Sequence, residues 1–300
     1  MKKAAGLFFA LFLIFCGQAR ISAKSPPLPR IIIVHATDED EKRFGQYPWP
    51  RSVHSDIIVE LERAHAKTIV LKYMFDEHSE HSLDAQADQK FLDVLGSYKN
   101  IILPFSGWAA SGIPLSETAQ KLVSRFAVKN GAKETQFLSF KNAAFPTEDL
   151  LEKSGGVGCA DMDSFHRRVS RMPLLVKVGE KLYPSLSLMA AIDVLGLAGS
   201  DVVALDGELI LGTAKIRMDE EGMFRPAFTV PGEKFKTYSY TEIMRGRFRK
   251  DFVQDSIVVV GYAGSRFPSD FVSPVSKNHN GADLNADAIS TILLRAAPNP

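Results

Sequence analysis

The stretch YPWPRSVHSDIIVELERAHAKTIVLKYMFDE, residues 47–77, decides the fold. Pro48 and Pro50 each fix their own φ angle and push the preceding residue toward an extended conformation, so the stretch begins as a stiff turn around Trp49. Pro50 falls near the first turn of the helix that follows. The pattern predicts an amphipathic helix, because apolar residues recur on one helical face. These residues are Val53, Ile57, Ile58, Leu61 and Ala64.

Two apolar runs flank this helix, residues 31–34 (IIIV) before it and residues 68–74 (TIVLKYM) after it. Both have the composition of a strand that is buried on both faces. Strand, helix and strand in this order predict a βαβ unit with parallel strands and a right-handed crossover. Residues 101–104, 157–160 and 256–260 predict further strands, and the last of these should be central. The expected fold is α/β, a mostly parallel sheet flanked by helices.

Residues 201–230 carry a different pattern. Two short apolar runs, residues 202–205 and 208–211, are separated by Asp206-Gly207, a dipeptide that favours a type I′ turn. Residues 215–218 alternate between apolar and polar side chains, as a third strand would. We therefore expect a small antiparallel insert laid on the parallel sheet.

Several segments of the chain resemble the CHASE2 domain family. The most specific is the WPRSVH-type segment between the IIIV strand and the helix, and the likeness extends from about residue 30 to about residue 295. The other matching segments are Phe75-Asp76-Glu77, residues 183–188, residues 256–264, Asp270, Ser273-Pro274 and Gly281. Three residues depart from the family pattern. Lys72 stands where an aspartate is usual, and Asn285 and Asp287 replace a histidine and an asparagine.

The resemblance implies an extracytoplasmic sensory or ligand-binding domain, of the kind found in bacterial adenylate cyclases, histidine kinases and serine/threonine kinases. It implies no catalysis of the domain's own and no cofactor. We therefore expect residues 24–30 to form a linker, residues 31–295 the sensory domain and residues 296–300 a tail. The expected ligand is an unknown small molecule, and the expected partner is a membrane-bound kinase or cyclase.

Residues 1–23 form a predicted export signal. Their apolar core, residues 7–16, is too short to span a bilayer comfortably, and Ala23 ends a plausible cleavage site. An uncleaved anchor is one alternative, and a lipid on Cys16 is another, although the bulky Phe15 before it fits a lipidation site poorly. The mature chain should lie in the periplasm or another extracytoplasmic space, without a transmembrane segment.

The composition argues against a nucleic-acid binder and against an intrachain disulfide. The chain has 36 Lys and Arg against 35 Asp and Glu, so its net charge of +1 leaves no surplus to neutralise phosphates. Cys16 and Cys159 are the two cysteines. Once the export signal is removed, Cys159 has no partner for a disulfide, and it should be a small buried apolar residue.

Acidic residues follow the predicted strands. Asp38 and Asp40 come after the first strand, Asp76 and Glu77 after the second, and Asp270 lies in the polar loop beyond residues 256–260. Because open α/β sheets bind ligands beyond the carboxyl ends of their strands, these residues form the predicted ligand site. The alternative is that they cap helices or face water. Four other residues are expected to be structural: Trp49, Pro50, Arg51 and Gly261.

Other motifs give weaker signals. His78 and His81 have a spacing that zinc ligands on a helix can have, but a solvated loop is the commoner case, and we predict no metal site. Glycines after residue 260 resemble a phosphate-binding loop but lack its lysine and its spacing. No GxSxG, HExxH, CxxC or Walker motif is present. The alternative function is a hydrolase that uses Asp38, Asp76 and Asp270, with or without a metal.

Overall fold

The computed structural model describes residues 28–75, 85–107, 115–162, 167–265 and 270–297. The predicted export signal and the residues Asp76, Glu77, His78 and His81 lie outside these ranges. The strands are β1 (Ile31–Ala36), β2 (Thr68–Leu71), β3 (Ile101–Phe105), β4 (Lys129–Asn130), β5 (Ser139–Phe140), β6 (Gly156–Cys159), β7 (Met172–Pro173), β8 (Leu175–Val178), β9 (Lys181–Pro184), β10 (Val202–Leu205), β11 (Glu208–Leu211), β12 (Ala214–Arg217), β13 (Met223–Phe224), β14 (Lys236–Ser239), β15 (Ile257–Tyr262), β16 (Asp270–Phe271) and β17 (His279–Asn280). The helices are α1 (Asp38–Phe44), α2 (Arg51–Arg63), α3 (Ala85–Ser97), α4 (Glu117–Ser124), α5 (Glu148–Lys153), α6 (Leu186–Val194), α7 (Tyr240–Met244), α8 (Lys250–Val253) and α9 (Gly281–Ala296).

A six-stranded sheet forms the centre of the domain, in the order β14–β1–β15–β2–β3–β6, and all of its neighbouring strands are parallel. This confirms the predicted fold class. The two strands of the predicted βαβ unit do not pair with each other, because β15 lies between them. In β1, β2 and β15 nearly every side chain is buried, since helices cover the sheet on both faces.

Consecutive side chains just beyond β2 show the two faces of the sheet. The ring of Tyr73 lies 4.6 Å from the ring of His54 in α2, whereas the side chain of Lys72 lies against Gly281 in α9. We call the side covered by α2, α3 and α7 the α2 face, and the side covered by α6 and α9 the α9 face. Helix α2 contacts both α3 and α7, and α6 contacts α9.

The stiff turn before α2 is built as the sequence predicts. Trp49 is 3% exposed, and its indole Nε1 donates a hydrogen bond to the carbonyl oxygen of Gly45 at 2.8 Å. Pro50 directly precedes α2. Arg51, the first residue of α2, is buried, and its Nε lies 3.5 Å from Oδ1 of Asp88 in α3. Trp49 is therefore a buried part of this turn.

The predicted hairpin and the small antiparallel insert are also confirmed. β10 and β11 pair antiparallel across Gly207, whose φ of +74° suits glycine in a tight turn. Together with β12 and β4 they form a separate four-stranded sheet. The insert therefore has a sheet of its own beside the parallel sheet.

Helix α9 runs from one end of the sheet to the other. Its first turn contacts the carboxyl end of β1, where Oδ2 of Asp283 lies 3.3 Å from Nε2 of His35. Near its last turn, Leu293 lines a cleft together with Ile31 at the start of β1. We call these two regions the carboxyl end and the amino end of the sheet. None of the described helices is both long enough and apolar enough to cross a membrane.

Candidate functional site at the carboxyl end of the sheet

Two of the predicted ligand residues lie in α1, and both already accept hydrogen bonds from the protein. Asp40 is fully buried, and its Oδ2 accepts from the backbone N and the hydroxyl of Thr37 at 2.9 and 2.8 Å. Its Oδ1 accepts from the backbone N of Thr241 at 2.8 Å. Asp38 is exposed, and its Oδ1 accepts from the backbone N of Ser265 at 2.7 Å. Asp40 therefore joins α1 to α7, and Asp38 holds the loop after β15.

The other predicted ligand residues are only partly placed. The backbone of Asp270 lies in β16, opposite Asn280 of β17, while Asp76 and Glu77 lie outside the described residues. The structure thus leaves the proposed convergence of Asp38, Asp76 and Asp270 untested. In the parts of the chain that are described, no group of three or more His, Cys, Asp or Glu could hold a metal ion.

Lys72 lies at the centre of the carboxyl end. In the sequence it was noted only as a departure from the family pattern. The backbone N of Lys72 donates to the carbonyl oxygen of Val260 at 2.8 Å, which places Lys72 beside Gly261 of β15. Its amine lies against α9, because a Cβ on Gly281 would be 2.9 Å from Nζ. The side chain is half-buried, and this burial lowers the pKa of the amine, while the nearby Asp161 acts in the opposite direction.

Glycines let the backbone of the sheet approach the first turns of two helices. A Cβ on Gly158 would be 2.6 Å from Cα of Leu186, the first residue of α6. A Cβ on Gly261 would be 2.9 Å from Cβ of Ala282 in the first turn of α9. Both helices therefore begin at the carboxyl end of the sheet, where their dipoles create a positive potential.

Asp161 is held at the same end of the sheet by neighbours from β3 and β6. Its carboxylate accepts from the hydroxyl of Ser106 at 2.8 Å and from the backbone N of Gly107 at 2.5 Å. The Sγ of Cys159 lies 3.4 Å from the same carboxylate. Cys159 is 1% exposed, and burial raises the pKa of its thiol well above the usual range. This agrees with the predicted small, buried and unreactive cysteine.

A second polar pair lies beneath α9. Nε2 of His279 is 3.5 Å from Oδ2 of Asp287, and both side chains are fully buried. The Asp287 carboxylate also accepts from the backbone N and the hydroxyl of Thr229, at 3.0 and 2.6 Å. Burial raises the pKa of Asp287 to about 6 and lowers the pKa of His279. This pair fixes α9 from the inside.

Sequence reasoning missed the part that Lys72 and Gly281 have in this site. The available signal was a lysine inside the apolar run TIVLKYM, because a cation among strand residues needs a reason. Gly281 gave no local signal. Its importance comes from Lys72, which is far away in sequence and reaches it only in the folded chain.

Comparison with known proteins identifies one relationship. The CHASE2 domain family matches residues 7–300, which is nearly the whole chain. No curated protein and no solved structure gives a significant match. CHASE2 domains are extracytoplasmic sensory domains, and they are not a catalytic family. This chain belongs to the CHASE2 domain family.

Proposed function

We propose that this chain is a periplasmic sensory module that binds a small anionic ligand at the carboxyl end of its sheet and signals through a partner protein. The partner class that the family suggests is a membrane-bound kinase or cyclase. The chain itself catalyses no reaction in this proposal. Asp38, Asp76, Glu77 and Asp270 are proposed to contact other parts of the ligand, where they would accept hydrogen bonds from its hydroxyl or amine groups, and Asp40 contributes by holding α1 in place.

The observation that carries the proposal is the position of Lys72. Its amine lies at the start of α9, where the helix dipole already creates a positive potential. A partly desolvated cation at the positive end of a helix is an unfavourable arrangement for the unliganded protein. An anion bound there would interact favourably with both the amine and the first-turn backbone N–H groups. Lys72 and the first turn of α9 therefore favour an anionic group on the ligand at this point of the site.

Signalling would follow from the contacts of that ligand. A ligand that touches both Lys72 and the first turn of α9 joins β2 to a helix that reaches the other end of the sheet. Such a ligand alters partner binding only if the partner distinguishes the liganded from the unliganded arrangement. The proposal thus requires that ligand and partner each change the affinity for the other.

A thermal-shift screen tests the ligand site. The anionic probes are phosphate, sulfate, acetate and citrate, and the cationic probes are Mg²⁺, Ca²⁺ and spermidine. We expect an anion to raise the melting temperature of the wild type but not of Lys72→Met, which keeps the length of the side chain and removes its charge. Lys121→Met, at an exposed position on α4, is the matched control and should respond like the wild type.

Two results would redirect the assignment. An anion that stabilises Lys72→Met as strongly as the wild type would show that the ligand binds elsewhere. A cation that stabilises the wild type, with the effect lost in the Asp76→Ala, Asp270→Ala double variant, would return the site to the acidic residues.

Export of the chain is proposed on the basis of residues 1–23, with cleavage after Ala23. N-terminal sequencing of the protein purified from the cell envelope should find Lys24 as the first residue. A retained Met1 would show an uncleaved anchor, and a lipid on Cys16 would show a lipoprotein.

A further inference from the structure

The amino end of the sheet carries a cleft with an apolar floor and a cationic rim. Its volume is about 310 Å³. Three of the described residues that line it are cationic, Arg30, Lys234 and Lys236, and none of the described lining residues is acidic. The rest of the lining is mainly apolar: Leu28, Pro29, Ile31, Ile32, Phe235, Phe252 and Leu293, with Ser290. For a chain whose net charge is only +1, this is a local concentration of positive charge.

The three rim cations are exposed. The hydrogen bonds of Arg30 and Lys234 go to neutral groups, and the carboxylates of Asp251 and Asp287 act on these two cations only at longer range. Arg30 donates from Nη2 to the backbone carbonyl of Asp251 at 2.6 Å, and Lys234 donates from Nζ to the hydroxyl of Ser290 at 3.0 Å. Nζ of Lys236 lies 5.0 Å from the ring centroid of Tyr238. In the described part of the chain none of the three forms an ion pair, and the carboxylate of Asp251 pairs with Arg249 instead.

Two exposed leucines belong to this region, one before β1 and one in α9. Leu28 is 40% exposed beside the cleft, and Leu294 is 56% exposed in the last turns of α9. Large apolar side chains next to a cationic rim form the combination that peripheral membrane proteins present to lipid headgroups.

We propose that the amino end of the sheet docks onto an anionic lipid surface. Arg30, Lys234 and Lys236 would lie near the headgroups, with Leu28 and Leu294 at the acyl boundary. Each basic residue close to an anionic leaflet increases binding by a factor of about five. Exposed cations that lack acidic partners keep this attraction, whereas ion-paired cations would lose most of it. The proposal concerns the end of the sheet opposite the ligand site and does not depend on that site.

Vesicle co-sedimentation of the protein, purified from the cell envelope with its natural N-terminus, tests the proposal. The probes are phosphatidylcholine vesicles with and without phosphatidylglycerol. The test variant is Lys234→Gln with Lys236→Gln, and we expect its partitioning onto the anionic vesicles to fall about 25-fold. The matched control is Lys121→Gln with Lys129→Gln, two exposed lysines that lie in α4 and β4. It should bind like the wild type.

Three outcomes would overturn the proposal. The wild type could bind both kinds of vesicle equally, the two double variants could lose binding to the same extent, or added salt could leave binding unchanged although exposed charges are screened. If the test variant has a lower melting temperature than the control, Lys236→Gln alone replaces it, with an expected loss of about fivefold. An unchanged affinity in that single variant would also count against lipid docking.

Discussion

The two faces of the central sheet are covered in different ways. On the α2 face, aromatic rings fill the space between helices and strands, with Trp49 and Tyr240 5.2 Å apart and His54 and Tyr73 4.6 Å apart. On the α9 face, glycines bring backbone close to backbone, and the buried groups beneath the helix include the His279–Asp287 pair. Both faces bury apolar side chains, but the α2 face relies on aromatic rings, whereas the α9 face combines aliphatic side chains with glycine contacts and a buried ionisable pair. The site lies on the second face, where a small displacement changes which groups meet.

The first prediction tests how strongly the rings seal the α2 face. Trp49→Ala should lower the free energy of unfolding by about 3–5 kcal/mol, because a buried ring is replaced by a cavity. Urea denaturation of the two proteins measures the difference. Trp49→Phe keeps a ring in the same position and should lose less. A Trp49→Ala variant within about 1 kcal/mol of the wild type would contradict the assignment, since cavities of this size cost more.

The second prediction uses the buried histidine of the same face. Burial, with a contribution from Arg51, lowers the pKa of His54 to about 3, so the folded protein keeps it neutral. The unfolded chain binds a proton near pH 6.5. Because the unfolded state then holds the extra proton, stability is lost as pH falls below 6.5, by about 1.4 kcal/mol per pH unit.

His54→Gln isolates this effect, because glutamine does not titrate and can still bond to the Tyr240 hydroxyl, which lies 3.1 Å from Nδ1 of His54. Between pH 6.5 and pH 4.5 the wild type should lose about 2 kcal/mol more than this variant, because the unfolded histidine is only half protonated at the upper limit. Unfolding free energies measured across that range give both slopes. Parallel slopes would show that His54 is protonated in the folded protein.

The third prediction tests the close fit on the α9 face. Gly261→Ala places a Cβ 2.9 Å from Cβ of Ala282 and should destabilise the fold by about 1–3 kcal/mol through overpacking. Gly96→Ala in α3 is the matched control, since its Cβ would have only an ordinary contact at 3.5 Å. Helix propensity predicts that the control gains up to about 1 kcal/mol. Equal effects of the two changes would remove the distinction between the faces.

The fourth prediction has the smallest effect on stability. Lys72→Met removes a cation whose pKa is lowered by burial, so in the absence of ligand the variant should be as stable as the wild type or more stable by at most about 1 kcal/mol. Urea denaturation in a buffer free of polyvalent anions measures this. A clear loss of stability would show that Lys72 is needed for folding, and the argument for a ligand site would weaken accordingly.

Local pattern was enough to predict the elements that bury one continuous apolar surface. The run IIIV gave β1, the Trp49 turn with its apolar stripe gave α2, and Asp206-Gly207 gave the β10–β11 hairpin. The acidic residues after β1 were predicted to form part of a ligand site at the end of that strand. In the structure they form helix α1, and Thr37 and Asp40 bond to each other across its first turn. That interaction is local, and the capping alternative allowed for it.

The candidate site was harder to predict because its members meet only in three dimensions. Lys72 and Gly281 are more than two hundred positions apart in the sequence, and the importance of each depends on the other. Charge in the sequence pointed to acidic residues, since Asp38 and Asp40 stand together after a strand. The fold turns Asp40 inward to backbone donors and leaves a lysine at the start of a helix. Single-residue patterns carry no information about such pairings.

One helix connects the two ends of the sheet. Helix α9 has 16 residues and is therefore about 24 Å long, with Gly281 beside the amine of Lys72 and Leu293 at the cationic cleft. A helix of this length moves as a rigid unit. Packed helices shift past their neighbours by about 1–2 Å in conformational transitions. If a bound anion pulls the first turn of α9 toward Lys72, the last turn of α9 moves by the same distance, because no loop lies between the two turns. In mechanical terms α9 would act as a piston between the proposed ligand site and the proposed lipid-docking surface.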